Sequence, residues 1–256
     1  MALWFDETYG GKIRFGLRVK RSIYQGKSEF QSVDVVETEE FGRALALEDA
    51  WMTSERDEAH YHEMIVHPAL TCAKKIERVL VIGGGDGGTV REVLRYPEVK
   101  HVTMVELDKL VTDVCKEHLS SFGVPWNDPR LNLQFGDGIA YLQGYKAEPY
   151  DVILIDGSDP IGPAEGLYAS PFYESAKRCL VPGGVVASQT ESPIAMAEDF
   201  ARIVKTLRTS FKRAEDSGAR AERHVVEVAG KCQVGIAGEI GADIKSRQAG
   251  LDAADA

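Results

Sequence analysis

The sequence is poor in the features that would place it in a membrane, in an oxidising compartment or on nucleic acid. No apolar run approaches the roughly 20 residues that cross a bilayer as a helix. Asp6 and Glu7 stand where a secretory signal would need its apolar segment, so a cytoplasmic protein is expected. Only four cysteines occur, Cys72, Cys115, Cys179 and Cys232, widely spaced and with no C-x-x-C pair. That spacing favours reduced packing thiols over metal or redox chemistry. Positive charge is in deficit: 30 Lys and Arg face 40 Asp and Glu, a formal charge of -10. A field of that sign repels phosphate and argues against a nucleic-acid partner, while it suits a small polycationic substrate.

What is present is enough for a full core, 44% of 256 residues being hydrophobic. Up to about residue 55 the chain reads as strands, KIRFGLRV, FQSVDVVET, GRALALED and WMTS, punctuated by glycines. A small antiparallel β-domain is expected over residues 1–55. Asp57 is placed to cap a helix through AHYHEMIVHPALTC. From Arg78 the strands lose their polar alternation: RVLVIGG, HVTMVEL, LNLQFGD, YDVILID and GGVVASQ. Strands apolar on both faces belong in a parallel sheet covered by helices. The expected architecture is α/β, with a Rossmann-like domain over residues 56–256 behind the antiparallel one.

The segment VLVIGGGDGGTVREVL sets Gly83, Gly85 and Gly88 in a G-x-G-x-x-G pattern between a strand and a helix, where glycines bring the backbone close to a ligand. The next strand ends in Glu106, where this fold places an acid that accepts from ribose hydroxyls. Asp86 lies inside the loop, where a dinucleotide would put its pyrophosphate. The repulsion would cost roughly 1 kcal/mol or more per charge pair even at solvent-like dielectric. A cationic ligand such as an adenosyl sulfonium fits better. Asp137 and Gly138 follow the strand LNLQF. Asp137 suits either an adenine amine or a helix cap for GIAYL.

After YDVILID comes the loop DGSDPIGPAEGLY, carrying Asp156 and Asp159 three apart on a Gly- and Pro-rich turn. Both carboxylates are placed to face one ligand, although turn-forming roles would also explain them. A primary amine titrates near about 10.4, so a carboxylate that removes its proton would create the nucleophile. Asp156 is the candidate for that step, and Asp159 for holding a second ammonium. His60, His62 and His67 do not form H-E-x-x-H, because Val66 stands where the second histidine would be. No metal site is expected.

Together, Gln31 in FQSVDVVE, the stretch ERDEAHYHEM, the loop GGGDGG, the strand MVELD, Asp137-Gly138 and above all DGSDPIGPAEGLY resemble the spermidine synthase family of polyamine aminopropyltransferases, over roughly residues 1 to 210. The resemblance implies a methyltransferase-type Rossmann fold and transfer of an aminopropyl group from decarboxylated S-adenosylmethionine, a co-substrate, to putrescine or a related diamine. Spermidine and methylthioadenosine would be the products, with no separate cofactor. In the donor site it places Asp86 on the aminopropyl ammonium, Glu106 on the ribose, and Asp137 with Gly138 on the adenine. Gly83, Gly85, Gln31 and His62 would line the same pocket, and Pro163 would lie near the adenine. Asp156 becomes the acid-base residue, while Tyr61, Asp159 and Gln189 position the amine. Dimers or tetramers are implied. The family's aromatic P-T-Y-x-x-G segment has no counterpart here: after Tyr173 there is no tyrosine or tryptophan, and residues 212–256 diverge. Two rivals are a small-amine N-methyltransferase using S-adenosylmethionine and a catalytically impaired nucleoside-binding homologue.

Overall fold

The structure, a computed structural model, describes residues 3–160 and 162–211 and the backbone of 224–228, with the side chain of Pro163 outside the described residues. The remaining stretches at 212–223 and 229–256, with Cys232 and most of the divergent carboxyl-terminal region, also lie outside them.

The first five strands form an antiparallel meander in chain order: β1 (Leu3–Tyr9), β2 (Ile13–Lys27), β3 (Ser32–Thr38), β4 (Arg43–Leu47) and β5 (Ala50–Ser54). Its alternation has a direct cause in packing. Val33, Val35, Leu45 and Met52 point to one face and meet Val111, Val114 and Cys115. Val36, Ala44, Ala46 and Trp51 point to the other. The sequence reading had no β1, because Asp6, Glu7 and Thr8 interrupt its apolar alternation. The strand forms through its register with β2, from Leu3 opposite Val19 to Tyr9 opposite Ile13. Gly10 and Gly11 turn between them at φ of 55° and 69°.

The second sheet holds β6 (Arg78–Gly83), β7 (His101–Glu106), β8 (Leu131–Phe135), β9 (Tyr150–Asp156), β10 (Leu180–Gln189) and β11 (His224–Val228), in the order β11-β10-β9-β6-β7-β8. Every neighbouring pair is parallel. Helices α1 (Glu58–Cys72), α2 (Gly88–Leu94), α3 (Lys109–His118), α4 (Gly138–Gly144), α5 (Ser170–Arg178) and α6 (Ala197–Ser210) surround it. Alternate residues of β6 and β9 feed opposite cores. Val79, Val81, Val152 and Leu154 join Ile65 and Val66 of α1. Leu80, Ile82, Ile153 and Ile155 join Phe172 of α5 and Leu207 of α6. Each such side chain contributes about 1.5–3 kcal/mol on full burial, which explains why these strands carry no polar alternation.

Some local expectations change. Asp57 occupies the N-cap position of α1 but makes no cap hydrogen bond, its carboxylate accepting instead from the Ser54 hydroxyl at 2.6 Å. The buried face of α1 includes Glu58 and His62 beside Ile65 and Val66. β11 falls in the divergent region, where no strand was expected. Cys115 and Cys179 are buried free thiols, whereas Cys72 is exposed.

The strand order reverses between β6 and β9, which creates a crevice outside their carboxyl ends. The two strands meet there closely. Gly84 N–H donates to the Asp156 carbonyl at 2.9 Å. A Cβ on Gly83, whose φ is +80°, would sit 2.2 Å from that same oxygen. Gly83→Ala combines a left-handed backbone with this clash and is expected to cost about 2 kcal/mol or more, read as a lower denaturation midpoint in urea. An unchanged midpoint would refute the close approach.

Candidate active site

The crevice is a cleft of about 540 Å³, roofed by Leu45, Leu47 and Met52 of the antiparallel sheet and floored by the loops after β6, β7, β8 and β9. Into its wall go the glycine loop with Gly83, Gly85 and Asp86, then Glu106, and the pair Asp137 and Gly138. Gln31, Asp156 and Asp159 also line it. Tyr61, His62 and Gln189 do not line the cleft; Tyr61 and His62 stand behind Asp156 and Asp86, which do, and Gln189 contacts Tyr168.

Asp156 ends β9 and is 6% exposed. Tyr61 Oη–H donates to its Oδ1 at 2.5 Å and Thr89 Oγ1–H to its Oδ2 at 2.7 Å. Both carboxylate oxygens are therefore held, one from α1 and one from α2. Burial, and then the charge and hydrogen bond of Asp156, push the Tyr61 hydroxyl well above its ordinary value, so it stays protonated and donates. Thr89 was not foreseen; it is the residue after Gly88, and only the fold turns its hydroxyl toward β9.

Asp86 is braced from the protein side. Its Oδ1 accepts from Gly88 N–H at 2.8 Å and lies 3.2 Å from His62 Nε2. The opposite ring nitrogen, Nδ1, is 2.6 Å from Glu58 Oε2. Glu58 in turn takes a two-pronged contact from Arg91, Nη1 to Oε1 at 2.7 Å and Nη2 to Oε2 at 2.8 Å. Burial alone would push the His62 imidazolium toward neutrality. The charge of Asp86, in ion-pair contact with Nε2, the hydrogen bond to Glu58 and the charge of Asp156 outweigh it and raise the pKa to about 10. Glu58 and Arg91 were not foreseen. Their visible signal is an acid four residues before His62 on a helix and a basic residue three after Gly88, and neither spacing is unusual.

At the other end of the cleft, Glu106 Oε1 accepts from Asp108 N–H at 2.8 Å. Asp108 caps α3 through Leu110 N–H at 3.0 Å and also accepts from Ser28 Oγ at 2.7 Å and Gln31 Nε2 at 3.2 Å. One buried carboxylate thus ties the β2–β3 turn to the end of β7. Asp137 does act as a cap, accepting from Ile139 N–H at 2.7 Å. An added Cβ on Gly138 would stand 2.6 Å from Ile82 Cγ2, so a larger residue would push the loop off β6.

Beyond Asp159, the Tyr168 hydroxyl lies 2.7 Å from both the Ser158 carbonyl and Gln189 Oε1. Burial, then the charges of Glu191 and Asp159, hold that hydroxyl far above its ordinary pKa. Tyr168 therefore pins the acidic loop to the end of β10. Pro163 lies in the 3₁₀ segment Gly162–Tyr168, its side chain outside the described residues. The remaining two histidines of α1 point elsewhere: His67 Nδ1 contacts Tyr96 Oη at 2.8 Å, and His60 Nδ1 its own helix start at 3.2 Å.

A Rossmann-like methyltransferase fold, joined to an antiparallel half-barrel and opening an acidic cleft at its switch point, is the class that fold and site define. Residues 58–219 match the family described as Spermine/spermidine synthase domain, and residues 3–55 match one described as Spermidine synthase tetramerisation domain. The chain belongs to the spermine/spermidine synthase family. A polyamine aminopropyltransferase of Prochlorococcus marinus (strain MIT 9313) is 48% identical over 213 residues, 83% of this chain and 74% of that protein. One of Clostridioides difficile (strain 630) is 41% identical over 217 residues, 84% of this chain and 77% of that protein. Among solved structures, a spermidine synthase in complex with the transition state analogue AdoDATO is similar at a TM-score of 0.79 and 34% identity, covering 82% of this chain and 72% of that one.

The raised His62 pKa is open to measurement. Its contribution to stability is complete below the ordinary value of 6.5 and is lost as pH rises through about 10. In nitrogen-15 NMR spectra His62 should keep imidazolium shifts from pH 6 to pH 8.5. A ring that loses its proton near pH 6.5 would contradict the assigned network.

Proposed function

We propose that the chain transfers the aminopropyl group of decarboxylated S-adenosylmethionine to putrescine, giving spermidine and methylthioadenosine. The observation that carries this reading is Asp156, fixed by Tyr61 and Thr89 in the same cleft wall as the Asp86 glycine loop. A carboxylate pinned on both oxygens cannot swing, so it presents a fixed base to an amine held beside the donor.

In this reading Asp86 binds the donor's terminal ammonium, with His62 behind it. Glu106 takes the ribose, and Asp137, Gly138 and Pro163 take the adenine. Gly83 and Gly85 allow close approach, and Gln31 closes the turn side. Asp159 holds the distal ammonium of the diamine, while Tyr61 and Gln189 fix the groups around the reacting amine. The amine arrives protonated, and Asp156 removes that proton. The freed nitrogen lone pair attacks the carbon bonded to sulfur. A nitrogen–carbon bond forms as the carbon–sulfur bond breaks, and sulfur leaves with the electron pair as a neutral thioether. The product nitrogen keeps its remaining protons as a secondary ammonium, and Asp156 passes the one proton it took to solvent. Because the sulfonium is already a good leaving group, the gain lies in alignment and in generating the neutral amine. The N-methyltransferase reading is not favoured, since the relatives reported above are named for aminopropyl transfer.

The test is direct. Purified protein incubated with putrescine and decarboxylated S-adenosylmethionine is expected to form spermidine and methylthioadenosine by mass spectrometry. S-adenosylmethionine should not substitute. Asp156→Asn is expected to lower kcat by about a hundredfold or more, the usual contribution of a positioned base. Methylated amine as the product would instead support the rival enzyme, and donor binding without turnover the impaired homologue.

Residues 1–55 and 56–256 are proposed as the two domains, and a cytoplasmic location is proposed with them. Among the described residues no helix is long and apolar enough to cross a membrane. We further propose that it self-associates as a dimer or tetramer through the outer hairpin. Leu3, Trp4 and Ile13 of β1 and β2 are 57%, 53% and 42% exposed, an apolar patch that a lone chain would leave in water. Trp4→Glu should shift the mass measured by light scattering toward a single chain. No shift would move the interface elsewhere.

A further inference from the structure

Behind Asp86 lies a chain of contacts that reaches from the cleft to α2 without touching the cleft beyond its first member. Arg91 grips both oxygens of Glu58, Glu58 takes His62 Nδ1, and His62 Nε2 faces Asp86. His62 is fully buried, and Glu58 is 9% exposed. The ring has no freedom to turn. A Cβ on Gly88 would lie 2.2 Å from its Cε1, and the Phe122 ring meets it edge-on at 6.3 Å. The third glycine of the motif is thus a seat for His62 as well as the start of α2. Arg91 is itself anchored by the Phe122 carbonyl at 2.9 Å and Glu92 Oε1 at 2.8 Å.

We propose that Glu58 and Arg91 are positioning residues for donor recognition: they seat the His62 ring on Gly88 so that its Nε2 edge braces Asp86 in the orientation that receives the donor's ammonium. The proposal rests on the aminopropyl-transfer reading for the identity of that ligand. Burying four charged groups in one line is costly unless each is paired, and here each has its partner. A simple carboxylate–ammonium site would not need three residues behind it. They serve a placement role, since Asp86 at the start of α2 would otherwise be free to rotate toward other N–H donors of the first turn.

The charged groups that face His62 are Glu58 from its own helix, Asp86 from the glycine loop and Asp156 from β9, with the neutral Tyr61 ring alongside at 5.3 Å. Removing Glu58 leaves burial to lower the ring's pKa with one less opposing charge. The pH at which His62 loses its proton, and with it the brace on Asp86, is then lower than in the wild type.

The experiment compares two ligands by calorimetry on the full chain. Decarboxylated S-adenosylmethionine carries the ammonium, and methylthioadenosine lacks it. In Glu58→Gln the first should bind about tenfold more weakly at pH 7.5, the equivalent of one charge-assisted hydrogen bond, while the second is unchanged within twofold. Any fall of donor affinity with rising pH should set in at a lower pH in the variant than in the wild type. Arg91→Lys keeps the charge but loses the two-pronged contact, and should show the same selectivity to a smaller degree. Equal weakening of both ligands, or no change in either variant, would overturn the positioning role. Wild-type protein that binds neither ligand would instead remove the donor reading, and this proposal with it.

Discussion

The close approach of Gly83 and Gly84 to the Asp156 carbonyl is the contact on which the rest of the site depends. It exists because β6 and β9 are neighbours at the point where the strand order reverses. Both strands end there, and a side chain on Gly83 would collide with the β9 backbone at 2.2 Å. With the clash absent, the glycine loop folds over the end of β9, and Thr89 of the following helix comes within 2.7 Å of the Asp156 carboxylate. The donor loop and the proposed base are thereby placed by one backbone contact, with no long side chains whose entropy would have to be overcome. The two apolar cores on either side of β6 and β9 keep that contact rigid.

The antiparallel sheet does for the other wall what the second strand end does for the first. It packs on α3 through Val33, Val35 and Leu45, and its β2–β3 turn is tied down by Asp108. Asp108 serves α3 as a cap, Ser28 and Gln31 as an acceptor, and Glu106 through its own N–H. A single residue with 2% exposure therefore couples the roof of the cleft to the residue proposed for the ribose. Such couplings join segments about 80 residues apart, and no local sequence pattern announces them.

This divides what was legible from what was not. The parallel strands were legible because burial on both faces forces an unbroken apolar run, as Val79 to Ile82 and Val152 to Ile155 display. Asp86, Glu106, Asp137 and Asp156 were legible because strand ends and the loop glycines fix where a ligand can lie. β1 was not, since its Asp6, Glu7 and Thr8 break the alternation and its stability comes from pairing with β2. Thr89, Asp108, Glu58 and Arg91 were invisible for a different reason. Each acts through another residue rather than on the cleft, and that relation is made by tertiary contact alone. Asp57 went astray because a cap requires the carboxylate to reach the helix N–H groups, and Ser54 offers it a nearer donor.

The carboxylates share one difficulty, which they resolve in two ways. Asp86, Glu106, Asp137, Asp156 and Asp159 all line one cleft, and like charges in a partly desolvated space repel one another. For Asp156, Glu106 and Asp137 the protein supplies neutral donors, two hydroxyls for the first and a backbone N–H for each of the others. Neutral donors fix geometry without cancelling charge, so the cleft keeps the negative field that a sulfonium and a diammonium require. Of the carboxylates, Asp86 is in ion-pair contact with a buried cation, His62, whose charge also reaches Asp156; Glu58 offsets that cation, and Arg91 pairs with Glu58. The alternation of signs lets one carboxylate be held from behind by a full charge, and the line with Asp86 included sums to zero. A hydroxyl in place of His62 would orient Asp86 less firmly, and a lysine there would neutralise it on a flexible stem. A fixed ring with two charged partners avoids both, and the bare Cα of Gly88 makes room for it.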